Sequence, residues 1–333
     1  MLTFANGDNF TEVVKLQESG SRSTTPVYWS PVIRDELRNS IDSLGYFFDN
    51  EHFIDRFQLN NDEAHEIKHA LETNCCCEKY QNKFFKIKKY VHDCLNTEMD
   101  LTGTDSQFVF QFPKGSDTYA YSTFVCGNSS AGKTYWVKTL IENNLKGKKK
   151  DRRKFVYISN ELHLDKTIQP LLAEKYSDNF IGVDISEESI EESEMDPTEY
   201  FLKKVKAVVE AAAPCTVVAD DAQDSHPELA EHMRRYITKL QRCGRHKKIS
   251  VIFMLHKLTS GLWSSTAMSS CKYIILFPRS MKNRCRKFLE DELGIPKREA
   301  EKHVLDFAQT SRAMICRMHA PCCFLNEKLL RLM

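Results

Sequence analysis

Apolar residues recur along the second half of this chain in short, almost unbroken runs: Ser122 to Cys126, Phe155 to Ser159, Thr216 to Ala219, Ile249 to Leu255 and Tyr273 to Phe277. Runs of this length suit strands buried on both faces, and their alternation with longer amphipathic segments predicts a parallel sheet covered by helices. Two helix starts carry a capping residue with Glu three positions later, Asp196-Pro-Thr-Glu and Ser225-His-Pro-Glu. Between Pro227 and Cys243, Leu229, Met233, Ile237 and Leu240 form an apolar stripe, while Arg235, Lys239 and Arg242 share another face. Ala313 to Met318 and Cys322 to Leu325, around Ala320-Pro321, predict a terminal hairpin that extends the sheet.

The first half reads differently. Residues 1–30 are polar and turn-rich, with Gly-Ser-Arg-Ser-Thr-Thr-Pro at 20–26, and read as a flexible arm. Residues 31–119 read as a mainly helical accessory region, with Ile54, Phe57, Leu59, Ile67 and Leu71, then Phe84, Phe85, Ile87, Val91 and Leu95 at roughly helical spacing. A β-prone run, Phe108-Val-Phe-Gln-Phe, and a turn at Pro113-Lys-Gly-Ser close it. Residues 120–333 then make the α/β domain with its C-terminal hairpin.

Composition narrows this little. At 333 residues, 41% hydrophobic and 28% charged, the chain suits one large α/β domain with an extension rather than a disordered or fibrous protein. No long apolar run and no leader-like start predict a soluble, unsecreted protein without a membrane span. The net charge of +1 conceals segregation: 146–154 holds seven basic residues in nine, and 181–199 holds eight acidic residues and no basic one. Any nucleic-acid argument therefore rests on local surfaces. Twelve cysteines are scattered, with Cys126, Cys215 and Cys316 inside predicted strands, which favours reduced thiols in an intracellular compartment. Cys75, Cys76, Cys77 and Cys94 near His69 and His92 read as buried thiols before zinc, because three consecutive cysteines do not converge on one tetrahedral ion without strain.

The chemistry begins where the first predicted strand of that domain ends. Gly127, Asn128, Ser129, Ser130, Ala131, Gly132, Lys133 and Thr134 follow an apolar strand and open a helix, in the spacing of a phosphate-binding P-loop. The glycines let backbone N–H groups turn inward, the helix N-terminus adds positive potential, Lys133 neutralises β and γ oxygens, and the Thr134 hydroxyl suits Mg²⁺. The apolar strand Cys215-Thr-Val-Val-Ala ends in two acids: Asp220 as the Mg²⁺ residue and Asp221 to polarise the attacking water. Such a pair after a strand is also a common helix-capping device, so its meaning rests on the upstream P-loop. ATP with Mg²⁺ is the expected ligand pair. An additional strand, Phe155 to Ser159, lies between the P-loop and the acidic strand and points to the additional-strand ATPases, RecA-like or FtsK/HerA-like sheets flanked by helices. His256, at the end of Phe253-Met254-Leu255, stands where such enzymes place a polar γ-phosphate sensor.

From Phe124 onwards, nearly two thirds of the chain, the sequence resembles viral genome-packaging ATPases of the FtsK/HerA superfamily, of the poxvirus and Polinton/Maverick type. The resemblance rests on Gly127-Asn-Ser-Ser-Ala-Gly-Lys-Thr134, Asp220-Asp221, Arg245-His-Lys-Lys-Ile-Ser-Val-Ile-Phe and Cys271-Lys-Tyr-Ile-Ile-Leu-Phe-Pro278. It implies an ATP-hydrolysing, homo-oligomeric ring that drives double-stranded DNA into a preformed capsid, working with capsid or portal-vertex proteins. It further implies a host nucleus, a cytoplasmic virus factory or the virion as location, and an arginine finger from the neighbouring subunit, Arg245 first and Arg242 second. Other readings of the same motifs are a helicase-type or segregation-type DNA motor and a nucleotide-gated capsid scaffold. A P-loop kinase lacks a recognisable lid.

Overall fold

The computed structural model describes residues 2–3, 11–21, 23–29, 48–49, 51–72, 77, 79–87, 98–110, 121–145, 153–173, 176–258, 261–319 and 321–333. They belong to two compact units, Met1–Phe110 with Lys328–Met333, and Gln111–Glu327. Among the described residues no helix is long and apolar enough to cross a membrane.

The first unit departs most from expectation. Its strands are β1 (Leu2–Thr3), β2 (Thr11–Gln17), β3 (Thr25–Trp29), β4 (Glu98–Asp100) and β5 (Gln107–Val109), of which four form an antiparallel sheet in the order β1-β3-β2-β5. Residues 11–17 and 25–29 are therefore paired strands and not a flexible arm. Their polar, turn-rich composition hid the pairing, although β2 and β3 pair with each other and only the third partner, β5, lies far along the chain. Two helices, α1 (Glu51–Phe57) and α2 (Asn61–Glu72), close a small core of Phe53, Leu59, Ile67, Phe84 and Ile87. A capping box starts α2: Asn60 Oδ1 accepts from Glu63 N at 2.9 Å, and Glu63 Oε2 accepts from Asn60 N at 3.1 Å. The accessory region is thus helical only in part. Residues 31–47, Val91, Leu95 and the Pro113 turn lie outside the described residues. The C-terminal strand, Leu329–Leu332, pairs antiparallel with β4 and carries Arg331, whose guanidinium forks onto Glu98 at 2.9 Å. The predicted α/β domain accordingly starts earlier than residue 120 and stops before 328.

In the second unit, β6 (Ser122–Cys126), α3 (Lys133–Leu145), β7 (Lys154–Ser159), β8 (Phe180–Asp184), α4 (Glu187–Glu192), α5 (Pro197–Tyr200) and α6 (Ala207–Ala212) come first. They are followed by β9 (Cys215–Asp220), α7 (Pro227–Cys243), β10 (Ser250–Leu255), α8 (Gly261–Ser270), β11 (Tyr273–Leu276), α9 (Pro278–Asp291), α10 (Lys297–Thr310), β12 (Met314–Arg317) and β13 (Cys323–Leu325). Strand order is β13-β12-β11-β6-β10-β9-β7-β8, with the last six parallel and β12 and β13 antiparallel. The α/β architecture and the hairpin match the sequence pattern: β6, β9, β10 and β11 are buried along their whole length, as continuous apolar runs require.

Three details differ. The edge strand β8 escaped the pattern because Phe180-Ile-Gly-Val-Asp is short, half exposed and interrupted by Gly182. Asp196 does cap its helix, accepting from Glu199 N at 2.9 Å, but Ser225 instead donates to Ala222 O at 2.9 Å, and α7 starts at Pro227 without a side-chain cap. Finally, the strand lying in space between the P-loop strand β6 and the acidic strand β9 is β10, whereas Phe155 to Ser159, in β7, lies on the outer side of β9. Chain order and sheet order diverge here because right-handed crossovers carry the chain past a gap that β10 fills later.

Phe253 of β10 stacks between Phe124 of β6, with centroids 6.2 Å apart, and Trp263 of α8, at 5.4 Å. Phe253→Ala should therefore cost about 3–5 kcal/mol, seen as a lower denaturant midpoint for the second unit. A midpoint within experimental scatter of the wild type would show that β10 does not anchor this core.

Candidate nucleotide and phosphate site

Register assembles the site. Leu255 of β10 stands beside Cys126 of β6, and Met254 beside Asp220 of β9. The carboxyl ends of three neighbouring parallel strands thus present Gly127, Asp221 and His256 together, the place where open parallel sheets bind ligands. Gly127 N bonds Leu255 O at 3.3 Å, fastening the start of the loop to β10.

The loop needs its glycines for two separate reasons. A Cβ on Gly127 would lie 2.9 Å from Cδ2 of the buried Phe277 ring and 3.0 Å from Ala131 Cβ. Gly132 has φ +102°, a conformation closed to most L side chains. Ser130 is held at φ +61°, a strained value for a non-glycine residue. Helix α3 begins at Lys133, so Thr134 lies in its first turn at the positive end of the helix dipole.

Lys133 is buried and turns back over the loop, its Nζ 3.0 Å from Gly127 O, 3.5 Å from Asn128 O and 2.9 Å from His256 Nδ1. Burial lowers its pKa, opposed by the charges of Asp221 and Asp220. His256 Nε2 lies 2.7 Å from Asp221 Oδ2. The Nε2–H tautomer satisfies both neighbours, donating to Asp221 and accepting from Lys133. Asp221 itself sits at φ 46°, ψ 35°, a left-handed conformation that turns it out of the strand, and its Oδ1 accepts from Gln223 Nε2 at 3.1 Å.

Asp220 is the buried member of the acidic pair. Burial pushes its pKa up to about 7, and the hydrogen bond from Tyr157 opposes that rise. Tyr157 Oη donates to Asp220 Oδ2 at 2.5 Å, and burial pushes that phenol far above its ordinary value, so it remains a donor. The donor set fits a hydrated magnesium ion: a hydroxyl on Thr134 and a carboxylate on Asp220, both hard oxygens, with Tyr157 fixing one carboxylate oxygen.

The sequence-derived residues therefore separate into two groups. Residues 127–134, Asp220, Asp221 and His256 converge. Arg245 does not: it is exposed in the short Gly244–Lys247 turn before β10, at the opposite end of that strand from His256, about 20 Å away at a strand's rise per residue. Arg242 lies in the last turn of α7, near the same end. Neither reaches this site within one subunit. On the predicted basic face of α7, Arg235, itself exposed, donates to Glu231 at 2.7 Å, and Lys239 and Arg242 are exposed as well. Of the patch at 146–154, residues 146–152 lie outside the described residues, and Arg153 is buried with its guanidinium 5.2 Å from the Tyr121 ring centroid. Sequence reasoning missed Tyr157, Gln223 and Phe277. Each looks like an ordinary strand or loop residue until the sheet order is known.

No family model matches the chain, and no curated protein matches it. Among solved structures, it is similar to B204, the DNA-packaging ATPase of Sulfolobus turreted icosahedral virus, at 16% identity, TM-score 0.40, over 64% of this chain and 98% of that one. The genome packaging NTPase B204 of Sulfolobus turreted icosahedral virus 2, in complex with ATP-gammaS, gives 12% identity, TM-score 0.38, and coverage of 64% and 96%. The KaiC-like protein PH0186 of Pyrococcus horikoshii OT3 gives 15%, 0.32, 47% and 70%. At these scores the likeness transfers neither activity nor partners to this chain.

A carboxylate whose folded pKa is raised from 3.8 to about 7 destabilises the fold above that pH, and the penalty disappears as pH falls towards 4, where the group is neutral in both states. In metal-free buffer Asp220→Asn should thus be more stable than the wild type at pH 8, by up to about 4 kcal/mol, with the difference vanishing near pH 4. Equal stability at both pH values, measured by denaturant titration, would show that the buried charge is fully compensated.

Proposed function

We propose that this chain is an ATPase that translocates double-stranded DNA into a viral capsid as a ring-forming motor of the FtsK/HerA type. The observation that carries the ATPase reading is the hydrogen-bonded series Lys133, His256, Asp221, set across three strand ends above a glycine loop and a helix N-terminus. A triphosphate fits it: loop backbone N–H groups other than those of Gly127 and Ala131, which bond Leu255 O and Asn128 O, would face the phosphates, and Lys133 would pair with the β and γ oxygens. Thr134 and Asp220 would hold Mg²⁺, which supplies charge neutralisation between those phosphates. Asp221 orients the attacking water and takes its proton. The water oxygen bonds to the γ phosphorus as the bond to the β–γ bridging oxygen breaks, giving ADP and phosphate. His256 senses the outcome because it touches both the residue that binds phosphate and the residue that handles water.

The DNA and capsid part rests on the sequence resemblance and on Lys239 and Arg242, exposed on α7, which packs against the sensor strand β10. Contact at that helix would reach His256 along the length of β10. Arg245, facing away from its own site, would serve a neighbouring subunit in the ring.

Steady ATP turnover should rise on addition of double-stranded DNA, without strand separation. Turnover indifferent to DNA would favour a nucleotide-gated scaffold, and unwinding would favour a helicase. Replacing Lys239 and Arg242 together by Gln should flatten the slope of log affinity against log salt on duplex DNA by about 2 units. An unchanged slope would make them solvated surface. Asp221→Asn should bind Mg-ATP and lose hydrolysis, whereas Asp220→Asn should lose the magnesium dependence of binding. Equal binding loss in both variants, titrated with and without magnesium, would show that the acids do not divide the work this way.

A further inference from the structure

We propose that Arg284 contacts the terminal phosphate from within its own subunit, an inference that rests on the nucleotide reading above. The start of α9 is docked on the first half of the loop at three points. The Phe277 ring blocks the space above Gly127, Asn128 Nδ2 donates to Ser280 O at 2.6 Å, and Arg284 Nη1 donates to Asn128 Oδ1 at a long 3.5 Å. A break in the helix makes this possible: Met281, at φ −146°, ψ 43°, separates the first turn from the rest of α9.

The corner so formed is where the phosphate-binding lysine already lies. Lys133 Nζ rests on the carbonyls of Gly127 and Asn128, and Arg284 reaches the same corner from the side chain of Asn128. The other arginines of α9 are committed elsewhere. Arg279 donates to Ala308 O and Gln309 O, at 2.6 and 3.1 Å, and Arg286 pairs with Glu290. Arg284 is exposed and has no carboxylate partner among the described residues. Two side-chain cations and a helix N-terminus at one corner repel one another until an anion arrives, and a guanidinium offers that anion a planar, bidentate fork. The field of Arg284 also reaches the Cys126 thiol, where together with Lys133 it opposes the rise caused by burial. Because the loop is held by Asn128 on one side and by β10 on the other, Arg284 would discriminate triphosphate from diphosphate without help from a neighbour.

The test is nucleotide binding by calorimetry, with Mg²⁺, comparing a non-hydrolysable ATP analogue with ADP on wild type, Arg284→Ala, Arg284→Lys and Lys133→Ala. Arg284→Ala should lose at least about tenfold in affinity for the triphosphate and little for ADP, with kcat down about 10²- to 10³-fold. Arg284→Lys, which keeps the charge without the fork, should fall between. Mixed assemblies of Arg284→Ala and Lys133→Ala chains should recover no turnover, since each chain lacks part of its own site. Equal loss for both nucleotides would make Arg284 a brace of the loop and overturn the proposal, as would recovered turnover in assemblies shown to contain both chains. Wild-type behaviour of Arg284→Ala beside a defective Lys133→Ala would overturn it alone, whereas a fully active Lys133→Ala would remove the nucleotide reading and this proposal with it.

Discussion

One imidazole joins what three strands bring together. His256 accepts from Lys133 on one nitrogen and donates to Asp221 from the other, at 2.9 and 2.7 Å. Neither contact exists unless β10 runs between β6 and β9 in the register that sets Leu255 beside Cys126 and Met254 beside Asp220. A slip of one residue would turn His256 to the other face of the sheet and leave Lys133 and Asp221 unconnected. The fully buried core of β10, with Phe253 stacked between Phe124 and Trp263, holds that register. The apolar packing of the strand and the chemistry of its end are thus one constraint.

The site keeps charged groups away from water. Asp220 is buried with a phenol as its neutral hydrogen-bond partner, and Lys133 is desolvated over backbone carbonyls. Asp221 is held in a strained left-handed conformation. Arrangements of this kind cost stability and recur where charge must be positioned before a ligand arrives. A polyphosphate with a divalent cation would complement them sign for sign: anion against Lys133 and the α3 N-terminus, cation against Asp220.

Much of this was legible in the sequence because it is local. The glycine, lysine and threonine spacing of 127–134, the strand ending in Asp220-Asp221, and His256 at a strand end each lie within a few residues. What was not legible depends on contacts between distant segments. Tyr157 reads as a core aromatic until β7 is placed beside β9. The partnership of His256 with Lys133 requires the strand order, which chain order does not give: Phe155 to Ser159 lies between the P-loop and the acidic strand in sequence, whereas β10 lies between them in space. The N-terminal strands were mistaken for an arm although β2 and β3 pair with each other, because their sequence is polar and turn-rich, and 328–333 belong to the same unit although they follow the α/β domain in sequence. Arg245, expected from its place before the sensor strand to act on a neighbouring subunit, lies at the end of β10 away from the His256 of its own subunit.

The account stands on Lys133 and the glycine loop binding the phosphates of a nucleotide. Calorimetric titration of a non-hydrolysable ATP analogue with Mg²⁺ tests that most directly. The wild type should bind one molecule per chain, and Lys133→Ala should weaken binding by at least about tenfold, roughly 1.4 kcal/mol. Indistinguishable affinities in the two proteins, or no binding to the folded wild type, would contradict the assignment of this strand-end cluster as a phosphate site.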